Sequence, residues 1–324
     1  MLTEAPESLF WYWISERHSI YLRRAAGLPK PWTDDPILQQ YKFTNPFREN
    51  DRGTVWLREN FLEPHRIPDE TWSELVKIET MQHGRLSHYS KSEWLSLLAF
   101  NIAWYRMFNW WGTGRLLGWQ TDWDPAAVIE TLTQASLRGE QVFTGAHIVY
   151  SPPGRPKIDA IVDVCSALYD LTVTQRELVI DPPHHRSFVE ACRAYRSLER
   201  AFYWLQSVYC VGGFMAYEMV TDMRHTRLLE DATDIMTWAN MGPGAKRGLT
   251  RLGLPARNQD EGCESMRGLL SRANTQLPVN HPAADWPTPE MRDIEHSLCE
   301  FDKYCRVKFG EGKPRSMYPG RKND

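Results

Sequence analysis

The chain lacks an apolar run long enough to cross a bilayer, lacks any CxxC pair and is poor in lysine. Its greasiest stretch, residues 94–111, is broken by Asn101, Arg106 and Asn109, whereas a membrane helix needs about 20 consecutive apolar residues. The cysteines are scattered at 165, 192, 210, 263, 299 and 305. That spacing argues against a zinc site or a disulfide framework and for reduced thiols in a cytoplasm. Glu4 and Glu7 precede the first aromatics, which is wrong for a secretory signal. With 10 Lys against 28 Arg, the chain favours the side chain that forks a phosphate and stacks on rings. Its net charge is −3, so affinity for a polyanion has to come from a local patch.

Alternating strand patterns are also missing, and helical periodicity dominates the 324 residues. The spacing predicts helices over 7–26, 54–62, 69–83, 92–111, 125–138, 157–170, 185–209, 214–229, 231–240, 245–252, 262–273 and 288–308. Asp124-Pro125 is a cap followed by a proline at the first helical position. Residues 141–156 are the one place for a short hairpin, 274–289 form a proline-rich connector, and 303–324 are a basic tail. No boundary is visible, so a single all-α domain over 1–324 is expected.

Between Asp234 and Asp260 there is no acid at all, yet this window holds "MGPGAKRGLTRLG". A helix over 231–240, a Gly-Pro-Gly turn and a second helix would make a helix-hairpin-helix over 231–253. Its glycines Gly242 and Gly244 permit tight backbone, and exposed amides at the second helix can hold a phosphate beside Lys246, Arg247 and Arg251. An ordinary αα-corner with a solvated basic face is the alternative. GPGAKRG lacks the spacing and the Lys-Ser/Thr of a nucleotide P-loop. A similar turn lies in "VGGFMAYEMVTDMRH" (211–225), within a corner over about 205–229. There Glu218, Asp222 and His225 share one helical face, with Phe214 and Tyr217 near the turn. A carboxylate beside a histidine can act as a base; an ion-paired network between helices fits the same spacing.

Four blocks, 27–60, 211–225, 241–253 and 291–315, together resemble the α-glutamyl/putrescinyl-thymine pyrophosphorylases, or amino acid:DNA transferases, of bacteriophages. The same helical module occurs with kinases of 5-hydroxymethyluracil in DNA. The resemblance implies a fold related to helix-hairpin-helix DNA glycosylases. It also implies a transferase in which an amino acid or polyamine displaces pyrophosphate from an activated 5-hydroxymethyluracil in DNA. The substrate base would be flipped from the helix or taken single-stranded. With no P-loop here, the activating kinase is expected on a separate chain, and a phage-encoded protein would work in the host cytoplasm.

Under that resemblance Lys42, Asn45, Arg48 and Arg52 form a candidate pyrophosphate clamp, with Mg²⁺ a possible helper. Asp222, backed by Glu218 or His225, is the candidate base for the protonated amine, and Phe214 and Tyr217 would stack on the target base. Gly242, Gly244, Lys246, Arg247 and Arg251 would hold DNA phosphates. A glycosylase using Lys246, and a non-catalytic subunit docking DNA to a kinase, are the rival readings.

Overall fold

The computed structural model describes residues 6–72, 78–82, 85–146, 149–151, 153–174, 187–280 and 287–312. In chain order the helices are α1 (Pro6–Ala25), α2 (Pro36–Gln40), α3 (Arg52–Leu57) and α4 (Asp69–Trp72). A ribbon, β1 (Ile78–Gln82) and β2 (Arg85–Tyr89), precedes α5 (Lys91–Phe108), α6 (Trp111–Leu117), α7 (Pro125–Leu137) and α8 (Lys157–Tyr169). Then come α9 (Phe188–Tyr195), α10 (Leu198–Gln206), α11 (Gly213–Met223), α12 (Pro243–Arg251), α13 (Gln259–Asn280) and α14 (Met291–Lys308). The described chain is thus nearly all helical, as the periodicity implies. It divides into two compact units, one of residues 1–51 with 235–324 and one of residues 52–234.

In the second unit α5 is buried from Trp94 to Phe108, which is why its sequence is apolar around the helix apart from Ser96, Asn101 and Arg106. A capping box starts it: Ser90 Oγ accepts from Glu93 N, and Glu93 accepts from Ser90 N at 2.7 Å. Asn109 ends it in the left-handed region at φ 45°. Helices α8, α9 and α11 pack on α5, and α7 packs on α8. The Asp124-Pro125 start is as expected, with Asp124 Oδ1 accepting from the amides of Ala126 and Ala127 at 3.0 and 3.1 Å.

In the first unit α12 lies on α14, and α1 packs against α13 and α14. Phe10 meets Phe301 edge-on at 5.3 Å between ring centroids. Asp35 ties the N-terminal segment to α14. One carboxylate oxygen caps α2, at 2.8 Å from Ile37 N, and the other accepts from Tyr304 Oη at 2.7 Å. The glycines of "GPGAKRG" have a packing task. A side chain at Gly244 would collide with Cys299, and one at Gly248 with the backbone carbonyl of Leu298. The four-residue spacing puts both on the face turned to α14. Gly248→Ala should therefore cost about 1–3 kcal/mol, because the obstruction is backbone. Thermal unfolding with an unchanged midpoint would refute this.

Several sequence expectations fail. Residues 231–240 are turns, not a helix, so the 231–253 corner has a helix, α12, on one side only. The cause is tertiary. Asp234 caps α10 from a distance, accepting from Ser197 Oγ at 2.7 Å and from Leu198 N at 2.8 Å, and Thr233 N donates to Arg196 O at 2.8 Å. Of the expected 69–83 helix, 69–72 form the short α4 and 78–82 form β1, which pairs with β2 antiparallel, Thr80 opposite Ser87, while residues 73–77 and 83 lie outside the described residues. The 185–209 helix is two helices, broken at Arg196 with φ 47°. The helix opening at 214 stops at Met223 rather than 229. The connector begins later than expected, since α13 continues to Asn280. Residues 281–286 of that connector, 313–324 of the tail and 147, 148 and 152 of the 141–156 hairpin lie outside the described residues. No strand occurs among the described residues of that hairpin.

Candidate functional site

Three elements of the second unit meet around one buried guanidinium. Arg106, near the C-terminus of α5, donates from Nε to Asp222 Oδ2 and from Nη2 to Asp222 Oδ1 at 2.8 Å. Nη2 also donates to Thr54 Oγ1 of α3 at 2.8 Å, and Nη1 to Asn109 Oδ1 at 3.1 Å. Glu218 Oε2 completes the set at 3.6 Å from Nη1. Burial alone would lower the affinity of Arg106 for its proton; the Asp222 carboxylate outweighs it and pushes that affinity above the ordinary value. Arg106, Glu218 and Asp222 are all buried.

The first turn of α3 rests directly on this cluster. Tyr105 Oη donates to Gly53 O at 3.2 Å, and a side chain on Gly53 would lie 2.7 Å from Asn109 Oδ1. Trp56 of the same helix stacks on Tyr105, with centroids 5.0 Å apart at 17°. Arg52 opens α3 and is exposed. Thus the Arg52-Gly53-Thr54 segment and the acids of 211–225 are brought together, although about 160 residues separate them along the chain. His225 is exposed just beyond α11. Phe214, at the start of α11, is 48% exposed, whereas Tyr217 is buried.

Both oxygens of Asp222 are engaged by Arg106, so this carboxylate holds a guanidinium in place and is not open to a dissolved amine. Sequence reasoning passed over Arg106, treating it as an interruption of an apolar run. A signal was present, because an arginine inside an otherwise apolar helix requires a buried partner.

In the first unit, Asn45, Arg48 and Asp51 form a closed loop. Asp51 Oδ1 accepts from Asn45 N at 3.0 Å, Asn45 Oδ1 from Phe47 N at 2.9 Å, and Arg48 pairs with Asp51. Lys42 is exposed. Arg292 pairs with Glu49, and the adjacent Asp293 is buried with Oδ1 lacking a hydrogen-bond partner. Burial pushes the Asp293 carboxyl up to about 7, with Arg292 opposing and Glu49 adding to the rise. Because the folded value exceeds the unfolded one, Asp293 favours folding at low pH and opposes it as pH climbs from about 4 to about 7. Asp293→Asn preserves an acceptor for Glu290 N, which Asp293 Oδ2 binds at 2.9 Å. Its melting temperature should match wild type near pH 4 and exceed it at pH 8; an equal gap at both values would contradict this.

The basic residues of α12 have partners that their own stretch of sequence lacks. Asp302 of α14, fully buried, accepts from Arg247 Nε at 2.8 Å and from Arg251 Nε at 2.7 Å, and Arg251 also pairs with Glu311. Lys246 Nζ donates to Arg257 O at 3.2 Å. At the start of α12, the Glu295 carboxylate lies beside Gly242. Around the expected phosphate cradle, Gly244 packs on Cys299 and the Glu295 carboxylate lies near Gly242.

Among the described residues no group of three or more His, Cys, Asp or Glu side chains is placed to hold a metal ion, and no helix is long and apolar enough to cross a membrane. No solved structure matches the chain. The 5-hmdU DNA kinase of Bacillus phage SP10 is 28% identical over an alignment of 254 residues that covers 72% of this chain and 34% of that protein. The chain thus spans about a third of the length of this curated relative. The family model described as "5-hmdU DNA kinase, helical domain" matches residues 5–76 and 86–314. By that match, which covers most of its length, the chain belongs to the family of the 5-hmdU DNA kinase helical domain.

Proposed function

We propose that this chain modifies 5-hydroxymethyluracil in phage DNA, as a transferase that replaces pyrophosphate on an activated base with the amine of an amino acid or polyamine. The observation supporting this reading is the Arg106 cluster. It unites the first turn of α3 with Glu218 and Asp222, residues from two of the blocks that carry the transferase resemblance. Membership of the kinase helical-domain family supports the DNA substrate, since the kinase named for 5-hmdU DNA is a relative.

In the proposed step the base is flipped out or already single-stranded. The bond between its exocyclic CH₂ and oxygen breaks, and the electron pair leaves with the pyrophosphate. The amine nitrogen forms the new C–N bond and surrenders one proton. Arg52, exposed above the cluster, stabilises the developing negative charge. Arg106, locked by Asp222 and Thr54, fixes the turn that carries Arg52. His225 is the exposed member of the candidate bases and takes the proton. Exposed Phe214 is the proposed stacking surface for the base. Mg²⁺, if used, would enter on the diphosphate's own oxygens. Arg48 and Asn45 are engaged with Asp51, and the proposal gives the clamp's role to Arg52.

The test is amine-dependent release of inorganic pyrophosphate from DNA carrying 5-pyrophosphoryloxymethyluracil. Release that requires both protein and amine supports the transferase; no release under any amine refutes it. One observation favours a second reading, a DNA-docking subunit for a separate kinase: Asp222, the leading candidate base, is fully occupied by Arg106. On that reading the chain would raise phosphorylation of 5-hydroxymethyluracil DNA by an added kinase while releasing no pyrophosphate itself.

A further inference from the structure

We propose that α12 and α14 form a phosphodiester-binding fork in which Asp302 aims two arginines and Glu311 occupies the place of a DNA phosphate. The inference rests on the DNA-binding part of the function proposed above.

Asp302 is fully buried, and each of its oxygens holds the Nε edge of a different arginine, Arg247 at 2.8 Å and Arg251 at 2.7 Å. Arg306 lies 3.4 Å from the same carboxylate. A guanidinium gripped at Nε keeps its two terminal nitrogens for another acceptor, and those are the nitrogens that fork a phosphate. In Arg247 the side chain is 55% exposed. In Arg251 the terminal nitrogens meet Glu311, with Nη1 at 3.3 Å from Oε1 and Nη2 on Oε2.

That pairing is two-pronged, the geometry with which arginine also takes phosphate. The two acids differ in setting. Asp302 sits beneath the arginines inside the α12–α14 contact, while Glu311 is about half exposed and follows the last turn of α14. Glycines flank it, Gly310 with φ 72° and Gly312 with φ 151°, so the backbone carrying this carboxylate adopts conformations that side-chain-bearing residues avoid. Hydrogen bonds from Arg251 hold the Glu311 carboxyl below its ordinary value, so it is ionised and competes with an anion at neutral pH. For Asp302, burial would raise the value, but the bonds from Arg247 and Arg251 outweigh it. Lys246, exposed on the same helix, adds positive charge, with its Nζ donating to Arg257 O.

Asp302→Asn and Glu311→Gln each remove one negative charge beside Arg251. Bulk electrostatics predicts that both would strengthen DNA binding. The fork predicts opposite signs. Glu311→Gln should tighten binding of a duplex or single-stranded oligonucleotide several-fold and steepen the salt dependence by about one phosphate's worth, a slope change near ~0.9. Asp302→Asn should weaken binding several-fold, because two guanidinium groups lose their alignment. Arg247→Gln, which leaves Asp302 paired with Arg251, should weaken binding and flatten the slope by about the same ~0.9. Fluorescence anisotropy across a salt series reads all three, with the melting temperature measured alongside. If Asp302→Asn fails to fold, Glu311→Gln and Arg247→Gln decide the matter. Wild-type binding with Glu311→Gln unchanged or weaker, or with Arg247→Gln unchanged, overturns the fork and leaves the proposed reaction standing. Absence of wild-type DNA binding overturns both. Inorganic pyrophosphate, added as competitor, should displace DNA only at concentrations where simple salts of equal ionic strength do so; selective competition would make the fork a diphosphate site and overturn the assignment to the DNA backbone.

Discussion

Asp222→Asn is expected to destabilise the second unit by about 3–5 kcal/mol, the cost of breaking a buried ion pair at one partner. The substitution leaves Arg106 charged and buried beside an amide that offers one acceptor where two were used. Thr54, Asn109 and Glu218 remain, so the guanidinium keeps some partners, and the lower end of the range is the firmer expectation. Each kcal/mol is worth roughly 2–4 °C in a unit of this size, so the midpoint should fall by at least about 6 °C. Replacing the buried charges together, as in Arg106→Met with Asp222→Leu and Glu218→Gln, should recover part of the loss, since a buried ion pair and a well-packed apolar set are close in free energy. A midpoint for Asp222→Asn within a degree of wild type would refute the account of the cluster. The prediction also bears on enzymology, because lost activity in this variant cannot by itself identify Asp222 as a base.

Arg52→Ala should do the reverse, lowering turnover steeply while sparing the fold. If Arg52 meets the departing diphosphate, removing one fixed donor from developing charge costs on the order of 10²–10³ in rate. Its side chain is exposed at the first position of a short helix, so the stability cost should stay within about 1 kcal/mol, the scale of an exposed contact. Arg52→Lys should retain part of the rate, keeping the charge but losing the planar fork. Pyrophosphate release under single-turnover conditions separates these effects from product release. Equal rates for wild type and Arg52→Ala would remove Arg52 from the proposed chemistry.

The helical class, the Asp124-Pro125 start and the apolar α5 were legible because local rules decide them: a cap, a proline and periodicity. What escaped was decided by distant residues. The 231–240 segment reads as a helix, yet Asp234 turns away to cap α10. The acid-free window 235–259 implies a bare basic surface, yet α14 supplies Asp302 and the residues following it supply Glu311. Gly244 suggests a phosphate cradle yet packs closely on Cys299, and no sequence pattern tells which surface faces a Cα lacking a side chain. In the candidate site, Glu218 and Asp222 were found from helical spacing, and Arg52 from a motif. Their joining through Arg106 depends on which face of α5 meets α11, which spacing within either helix does not reveal.

The central claim, replacement of a diphosphate by nitrogen on a base that stays in the DNA, is tested most directly by nucleoside mass spectrometry. DNA bearing 5-pyrophosphoryloxymethyluracil would be incubated with the protein and a mixture of amino acids and putrescine, then digested to nucleosides. The account predicts a new thymidine derivative heavier by one amine and lacking phosphorus, with the total of pyrimidine nucleosides conserved. Free base with abasic sites, or an unchanged nucleoside profile with every amine supplied, would contradict it.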